Sequence, residues 1–544
     1  MSDSYPWWRH SVFYQIYVRS FADSNADGTG DIAGIESRLP YLKTLGIDAI
    51  WVNPWYVSPL RDGGYDVADY RQIDPRYGTL DDAKRLIAAA NEAGIRVLVD
   101  LVPNHTSWDH VWFKAALEAG PGSPERARYH FLPGKGEHGQ LPPNNWRSVF
   151  GGPAWTRVPD GEWYLHMFET SQPDLNWDNP EVRAEFVDIL RYWLDLGAAG
   201  FRVDVAHGLV KEADYPDTVE EHLAVMSLPR EGDPLWDRPE LHEVVREWRA
   251  VLDEYDDAVM IAEAWIPSWE RLALYCRPDE YHQTFDFHFL KAPWDPAVMR
   301  STIEASVAGT AAVGSIPTWV LSNHDVVRHA TRYGLSNDVD ERAWLMDGDP
   351  ADLDRALGLR RARAATLLML ALPGSAYLYQ GEELGLPEVH DLPEAVLDDP
   401  VWERSGHTDK GRDGCRVPIP WKREGPSFGF GDNGSWLPQP ESWAGYSVEA
   451  QTGVPGSTLE LYREALRLRT GHLRDDEDLE WLELGDEAIA FRRGSGLTCV
   501  VNFGEDELAL PVGAVLLSSE SLEGGRLPGN AAVWLGPVSP DLEG

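Results

Sequence analysis

Gly200-Phe201-Arg202-Val203-Asp204 is a short β-prone run that breaks into charge at its carboxyl end. The same break recurs twice. Val259-Met260-Ile261-Ala262 leads into Glu263-Ala264-Trp265, and a run near residue 320 leads into Ser322-Asn323-His324-Asp325. Buried strands that each deliver polar groups at their carboxyl ends fit a parallel α/β barrel, in which that end is the active-site face. Arg202 and Asp204 stand two apart and so share one face of a strand, where a cation favours the ionised carboxylate. Glu263 follows an apolar run, a setting expected to favour the protonated acid.

Outward from that stretch, β-prone runs fall at 12–18, 49–53, 97–102, 201–205, 259–264, 284–287, 318–322 and 376–379. Helical patterns alternate with them. Thr79 is placed to cap a helix with apolar Leu80, Ala83, Leu86, Ile87 and Ala90, stopped by Gly94. Eight strands with intervening helices predict an α/β fold, a (β/α)8 TIM barrel, over residues 1–103 and 176–472. Residues 104–175, rich in Pro, Gly, His and Trp, are too long for a βα loop and form an inserted subdomain after strand three. A similar stretch at 384–455 is an extended insertion after strand eight. Ser457-x-x-Glu460 then opens a helix with Leu459, Tyr462 and Leu466 on one face, and 473–544 reads as a C-terminal antiparallel β domain.

Acidic residues number 89 against 48 basic, a formal net charge of −41, which repels polyanions and argues against a nucleic-acid partner. Cys276, Cys415 and Cys499 are too few and too scattered for a disulfide framework or zinc spacing, so a reducing compartment is expected. The first residues, Met1-Ser2-Asp3-Ser4-Tyr5-Pro6-Trp7-Trp8, lack the basic and apolar regions of a signal peptide. No run reaches the roughly 18 apolar residues of a membrane span. A cytoplasmic protein without a membrane partner is expected. The 24 Trp are core filler and also flat faces on which sugar rings stack.

Two carboxyl groups about 5 Å apart across a glycosidic bond permit double displacement, one attacking the anomeric carbon and the other protonating the leaving oxygen. Asp204, Glu263 and Asp325 are candidates for such a set. The segments Asp100-Leu101-Val102-Pro103-Asn104-His105, Gly200 to Asp204, Glu263-Ala264-Trp265 and Asn323-His324-Asp325 resemble, in order, the four signature regions of the α-amylase superfamily of retaining glycoside hydrolases. Gln172-Pro173-Asp174-Leu175-Asn176-Trp177 resembles the fifth region of α-glucosidases and oligo-1,6-glucosidases. The resemblance implies Asp204 as nucleophile, Glu263 as general acid/base and Asp325 as transition-state stabiliser, with His105, Arg202 and His324 binding the sugar in subsite −1.

Gly64-Tyr65-Asp66-Val67-Ala68-Asp69-Tyr70 and Arg412-Asp413-Gly414-Cys415-Arg416-Val417-Pro418 are similar to the segments that supply an Asp–Arg clamp on the terminal glucose in exo-acting α-glucosidases. Asp66 and Arg416 are the expected pair, with Arg412 as the alternative. Such a pair occupies the space where a longer chain would continue. Tyr65, Phe150 and Phe168 are candidate aromatic walls.

Residues 23–31 place oxygen-bearing side chains at positions 1, 3, 5 and 9 and Gly28 at position 6 of an EF-hand-like loop, but Gly34 stands where the bidentate Glu would be. The matching loop of oligo-1,6-glucosidases binds calcium. By that resemblance Asp23, Asn25, Asp27, Asp31 and the Thr29 carbonyl are structural Ca2+ ligands, and no organic cofactor is implied. Linkage cues conflict: Val205 accompanies α-1,6 preference in oligo-1,6-glucosidases, whereas Ala206-His207-Gly208 looks more like actinobacterial α-glucosidases active on maltose.

The expected activity is release of terminal α-1,4-linked glucose from a small oligosaccharide. An oligo-1,6-glucosidase, and a transglucosidase or a sucrose or maltose isomerase, are alternatives on the same scaffold. A non-enzymatic transporter-subunit barrel is disfavoured, since such chains need an anchor and have lost the carboxylates. Oligomeric state is left open.

Overall fold

The computed structural model describes residues 5–219, 232–522 and 524–537. The first four residues, and 538–544 of the expected C-terminal domain, lie outside that range.

Eight parallel strands form one sheet: β1 Val12–Ile16, β2 Ala49–Val52, β3 Arg96–Leu101, β4 Gly200–Val203, β5 Val259–Ala262, β6 Gln283–Thr284, β7 Thr318–Val320 and β8 Ser375–Tyr379. Their order is β6-β5-β4-β3-β2-β1-β8-β7, the barrel expected from the sequence. Each strand overlaps one expected run, and most end before the run does. Asp204 and Glu263 therefore sit one residue past β4 and β5, and Asp325 five past β7. The expected run 284–287 overlaps the two-residue β6 at Thr284 alone, because Asp286 accepts a hydrogen bond from the His288 N–H and starts a short helix at Phe287. Among the described residues no ladder joins β6 to β7. The Thr318 hydroxyl instead donates to the Thr284 carbonyl at 2.6 Å.

Strand alternation sorts the core. Phe13, Ala49, Trp51, Leu98, Val259, Ile261, Val320 and Tyr377 form one buried cluster inside the barrel. Tyr14, Ile50, Val97, Val99, Phe201 and Met260 point the other way and pack with the helices. Phe13 and Tyr377 stack at 4.5 Å. Burying each such side chain contributes roughly 1.5–3 kcal/mol. Gly200 is required at the start of β4, since a Cβ there would lie 1.8 Å from the Val259 carbonyl oxygen.

Helix α1, Leu80–Ala93, begins with the Thr79 cap, reciprocated by Asp82, and ends at left-handed Gly94. Outer helices α2 Pro180–Asp195, α3 Leu241–Leu252, α4 Pro296–Ala311, α5 Arg355–Ala371 and α6 Thr458–His472 follow. Ser457 caps α6, but Glu460 bonds the Gly453 N–H and Arg463 rather than closing the reciprocal half of the box. Between β3 and α2, strands Phe131–Pro133, Trp155–Arg157 and Glu162–Leu165 make a small antiparallel sheet. After α6, β9 Leu479–Leu482, β10 Ala488–Arg493, β11 Thr498–Asn502, β12 Ala514–Ser518 and β13 Ala531–Gly536 form an antiparallel sheet ordered β9-β10-β11-β13-β12. Trp534 ties it to α5 through the Leu367 carbonyl. Among the described residues no helix is long and apolar enough to cross a membrane.

Thr318→Val deletes the side-chain bridge between β6 and β7 and leaves the buried Thr284 carbonyl short of a donor. Urea denaturation is expected to show a loss of about 1–3 kcal/mol, with Thr318→Ser close to wild type.

Candidate active site

Period-two alternation carries the inward face of the barrel from apolar to polar at its carboxyl end. Asp100 and Arg202 are register partners on β3 and β4, and Arg202 is also level with Ile261, two residues before Glu263. The result is a single buried guanidinium holding three carboxylates. Arg202 Nη1 lies 2.9 Å from Asp100 Oδ1 and 2.7 Å from Asp204 Oδ1, while Nη2 lies 2.9 Å from Glu263 Oε2. The guanidinium also covers the Trp51 ring at 4.8 Å. Asp204 Oδ2 has no protein partner among the described residues.

Glu263 departs from the apolar setting expected for it. Besides Arg202, its Oε2 accepts the Val205 N–H at 2.9 Å and its Oε1 accepts Trp265 Nε1–H at 2.9 Å. The strand ends at Ala262, so the carboxyl leaves the apolar run and enters the polar rim. The separation of roles by environment is correspondingly revised. Burial pushes the Asp204 carboxyl up, Arg202 opposes it, and the charges of Glu263, Asp100 and Asp325 add to the rise. Asp100, buried against the same cation, is pushed up to about 6.

His324 and Tyr65 stack at 5.2 Å, and His324 Nε2 is 3.4 Å from Asp325 Oδ2. Burial pushes His324 well below its ordinary value; the charge of Asp325 opposes the fall, and Arg416, Arg202 and Arg412 add to it. Burial disfavours a charged Asp325, but the positive groups around it outweigh that cost and hold it below the usual carboxylate range. Those groups are His324, Arg412, Arg416 and Arg202. Arg412 and Arg416 touch the carboxylate directly. Each reaches Asp325 Oδ1 at 3.1 Å.

The expected pairing of Asp66 with Arg416 is corrected by the structure. Asp66 accepts from Ser58 Oγ–H and from the N–H groups of Arg61 and Asp62, so its oxygens are spent on the loop that presents Asp62. Arg416 lies behind the cavity, with Nε donating to the His324 carbonyl. The ion pair forms instead between Asp62 Oδ1 and Arg412 Nη2 at 2.6 Å, and Gln172 Nε2 donates to Asp62 Oδ2 at 3.0 Å. Arg412 was the alternative partner. Asp62 was missed, although an acid before Gly63 and Gly64, both at positive φ, marks a turn that frees its side chain toward the pocket.

These groups surround a cavity of about 550 Å3 lined by Asp62, Tyr65, His105, Phe150, Phe168, Asp204, Glu263, His324, Asp325 and Arg412 among others. Arg202, Asp66 and Arg416 stand behind that lining. His105 is held by the Tyr65 carbonyl at 3.1 Å and meets the Phe168 ring, which packs edge-on against Phe150. Further along the wall His207 stacks on Trp236 at 4.9 Å. Asp100 and Trp236 were not assigned from sequence. Asp100 was legible as the acid at the end of an apolar strand, while Trp236 has no local motif. Val205 adopts φ 46°, a strained conformation for a β-branched residue, and this turns its N–H onto Glu263.

The loop 23–31 is remote from the cavity lining, with the Asp23 N–H on the Phe430 carbonyl. Asp23, Asn25 and Asp27 each cap the N–H two residues ahead. Asp31 caps the following short helix through the Gly34 N–H and accepts from Ser24. The donors are hard oxygens of the kind calcium takes. Among the described residues, however, no three His, Cys, Asp or Glu side chains are grouped to hold a metal ion.

Residues 15–476 match the alpha-amylase catalytic domain, and 478–534 match a domain of unknown function, DUF3459. A probable alpha-glucosidase of Rhizobium meliloti (strain 1021) is 36% identical over 92% of this chain and 90% of its own length. An oligo-1,6-glucosidase of Parageobacillus thermoglucosidasius is 33% identical over 86% of this chain and 84% of its own. The crystal structure of the alpha-glucosyl transfer enzyme XgtA superposes with a TM-score of 0.84 at 35% identity, covering 97% of this chain and 99% of that one. A barrel whose strands end in this carboxylate cluster, matched over most of its length, belongs to the alpha-amylase family of glycoside hydrolases.

Proposed function

We propose that the protein is a retaining exo-α-glucosidase that removes terminal non-reducing glucose from maltose and short α-1,4-linked oligosaccharides. The reading rests foremost on the Asp62–Arg412 ion pair in the cavity wall beside the carboxylates, which would block a chain continuing past the terminal sugar. In the first step Asp204 Oδ2 attacks the anomeric carbon while Glu263 protonates the departing oxygen. Arg202 fixes Asp204 through its other oxygen. In the second step Glu263 takes a proton from water, which displaces Asp204 and restores the α configuration. Asp325, ionised by its arginines, holds the ring hydroxyls as positive charge develops. Tyr65, His105 and His324 shape the sugar site, and Phe150, whose ring faces the Arg412 guanidinium at 5.2 Å, and Phe168 add aromatic walls.

The names of the relatives favour a glucosidase without fixing the linkage, and the XgtA likeness keeps glucosyl transfer as the second reading. Transfer differs from hydrolysis only in whether a sugar hydroxyl replaces water. A cytoplasmic setting is part of the proposal and is supported by the free thiols of Cys276, Cys415 and Cys499, all buried. Calcium at 23–31 is likewise proposed, as a structural ion held by Asp23, Asn25, Asp27, Asp31 and the Thr29 carbonyl.

Asp204→Asn should retain the fold and lose several orders of magnitude in turnover, since the amide keeps the shape without the nucleophile. Glu263→Gln should lose far more on maltose than on glucosyl fluoride, whose leaving group departs unprotonated. Near-normal turnover in the first, or equal losses on both substrates in the second, would overturn the assignments.

Time courses on maltose, isomaltose, sucrose and trehalose should show glucose released fastest from maltose. Val205→Thr keeps the β-branched shape in the strained turn and should raise the ratio of kcat/KM for maltose over isomaltose, with an aryl glucoside changed only a few fold. A constant ratio would move linkage choice to the inserted segments.

Calcium at a hundredfold excess over its Kd should stabilise the fold by about 2.7 kcal/mol. Chelation should then lower the Tm of wild type and leave Asp27→Ala nearly unmoved. An equal chelator response in both proteins would remove the loop as the site.

A further inference from the structure

Arg412 is asked to meet two partners at once. Its Nη2 reaches Asp62 Oδ1 at 2.6 Å and its Nη1 reaches Asp325 Oδ1 at 3.1 Å. A guanidinium on a flexible stem does that only when its plane is fixed from behind. The fixing group is Asp399. Its Oδ2 accepts both Arg412 Nε–H and, at 2.9 Å, the Arg412 backbone N–H, while Oδ1 lies 3.3 Å from Nη2. Two bonds to one residue, from side chain and main chain, set both the root and the plane of the fork.

Asp399 is itself held. Its side chain is fully buried, its Oδ1 accepts the Val401 N–H, and its own N–H goes to Asp413 Oδ2 at 3.0 Å. It contributes nothing to the cavity lining, whereas Arg412 does. Burial opposes its charge, and Arg412 and Arg416 keep it ionised. Asp399 Oδ2 also lies 3.8 Å from Arg416 Nη1, a longer contact than those to Arg412. We propose that Asp399 is a positioning residue: it acts on the terminal glucose chiefly through Arg412, by aiming one arm of the guanidinium at Asp62 and the other at Asp325. The inference rests on the clamp reading of Arg412 given above.

A double-mutant cycle tests it, with kcat and KM on maltose and on 4-nitrophenyl α-glucoside for Asp399→Ala, Arg412→Ala and the double variant. Asp399→Ala should lose about a hundredfold in kcat/KM, the scale expected when a polar group is misplaced by an ångström, and the loss should fall on kcat as well as KM. Asp399→Asn keeps an acceptor oxygen and should lose less. In the Arg412→Ala background, Asp399→Ala should cost far less than in wild type, because the group it chiefly aims is gone. Additive losses would overturn the role of Asp399, as would an Asp399→Ala protein with wild-type kinetics. If Asp399→Ala fails to fold, the same cycle with Asp399→Asn decides: its loss must shrink in the Arg412→Ala background, and an undiminished loss overturns the role. An Arg412→Ala protein with wild-type kinetics would sink the clamp reading itself, a result distinguishable from failure of the positioning role alone.

Discussion

One buried guanidinium organises the barrel mouth. Taking Arg202 out of water costs several kcal/mol, and the cost is met only because Asp100, Asp204 and Glu263 surround it within hydrogen-bonding distance and Trp51 covers its face. Each partner comes from a different strand, so the contact forms only when β3, β4 and β5 stand in their observed register. A slip of one residue would turn Arg202 outward among the helices. The catalytic cluster and the register of the sheet are therefore one constraint seen twice. Asp100 shows the division of labour. It is buried and also receives Trp51 Nε1–H and the Tyr65 hydroxyl, so it neutralises the cation from beneath while Asp204 and Glu263 keep oxygens available to the cavity.

The two long interruptions of the barrel are joined across its mouth by a second chain of polar contacts. Gln172, from the first insertion, donates to Asp62; Asp62 pairs with Arg412, from the second; Arg412 is anchored by Asp399. Among the described residues no disulfide or sheet joins these segments. The pocket's closed side is thus an assembly of three segments, the loop after β2 that carries Asp62 and the two insertions. Its shape depends on charges that no one segment could bury alone, because an unpaired Asp62 or Arg412 at this depth would bear its full desolvation cost.

How much of this was legible follows from physical range. Strand runs, the Thr79 cap and the polar ends of β4 and β5 are local patterns, and the structure has them where the sequence places them, apart from two-residue β6. That Arg202 and Asp204 share a face follows from period two alone. Pairings between distant loops do not. Asp66 and Asp62 lie four residues apart on one turn, and only the tertiary structure decides that Asp66 turns back to hold the loop while Asp62 turns outward. The environment of Glu263 was misjudged for a related reason: an apolar strand says nothing of what meets the residue just beyond its end. Trp236 stood outside any motif because stacking on His207 depends on the return of a long loop.

Val205 links these levels. A β-branched residue at φ 46° is costly, and it is tolerated here because that conformation aims its N–H at Glu263 while its neighbour Ala206 donates to the Glu263 carbonyl. Glu263 and the loop after Asp204 are thereby fixed to each other through bonds from main-chain N–H groups, independently of Arg202. The side chain of Val205 meanwhile lines the cavity. A substitution there acts on two things at once, the space at the cavity wall and the backbone strain that holds Glu263. Residues that preserve the β-branched shape separate the two effects, and glycine, which accepts positive φ without strain, would alter both.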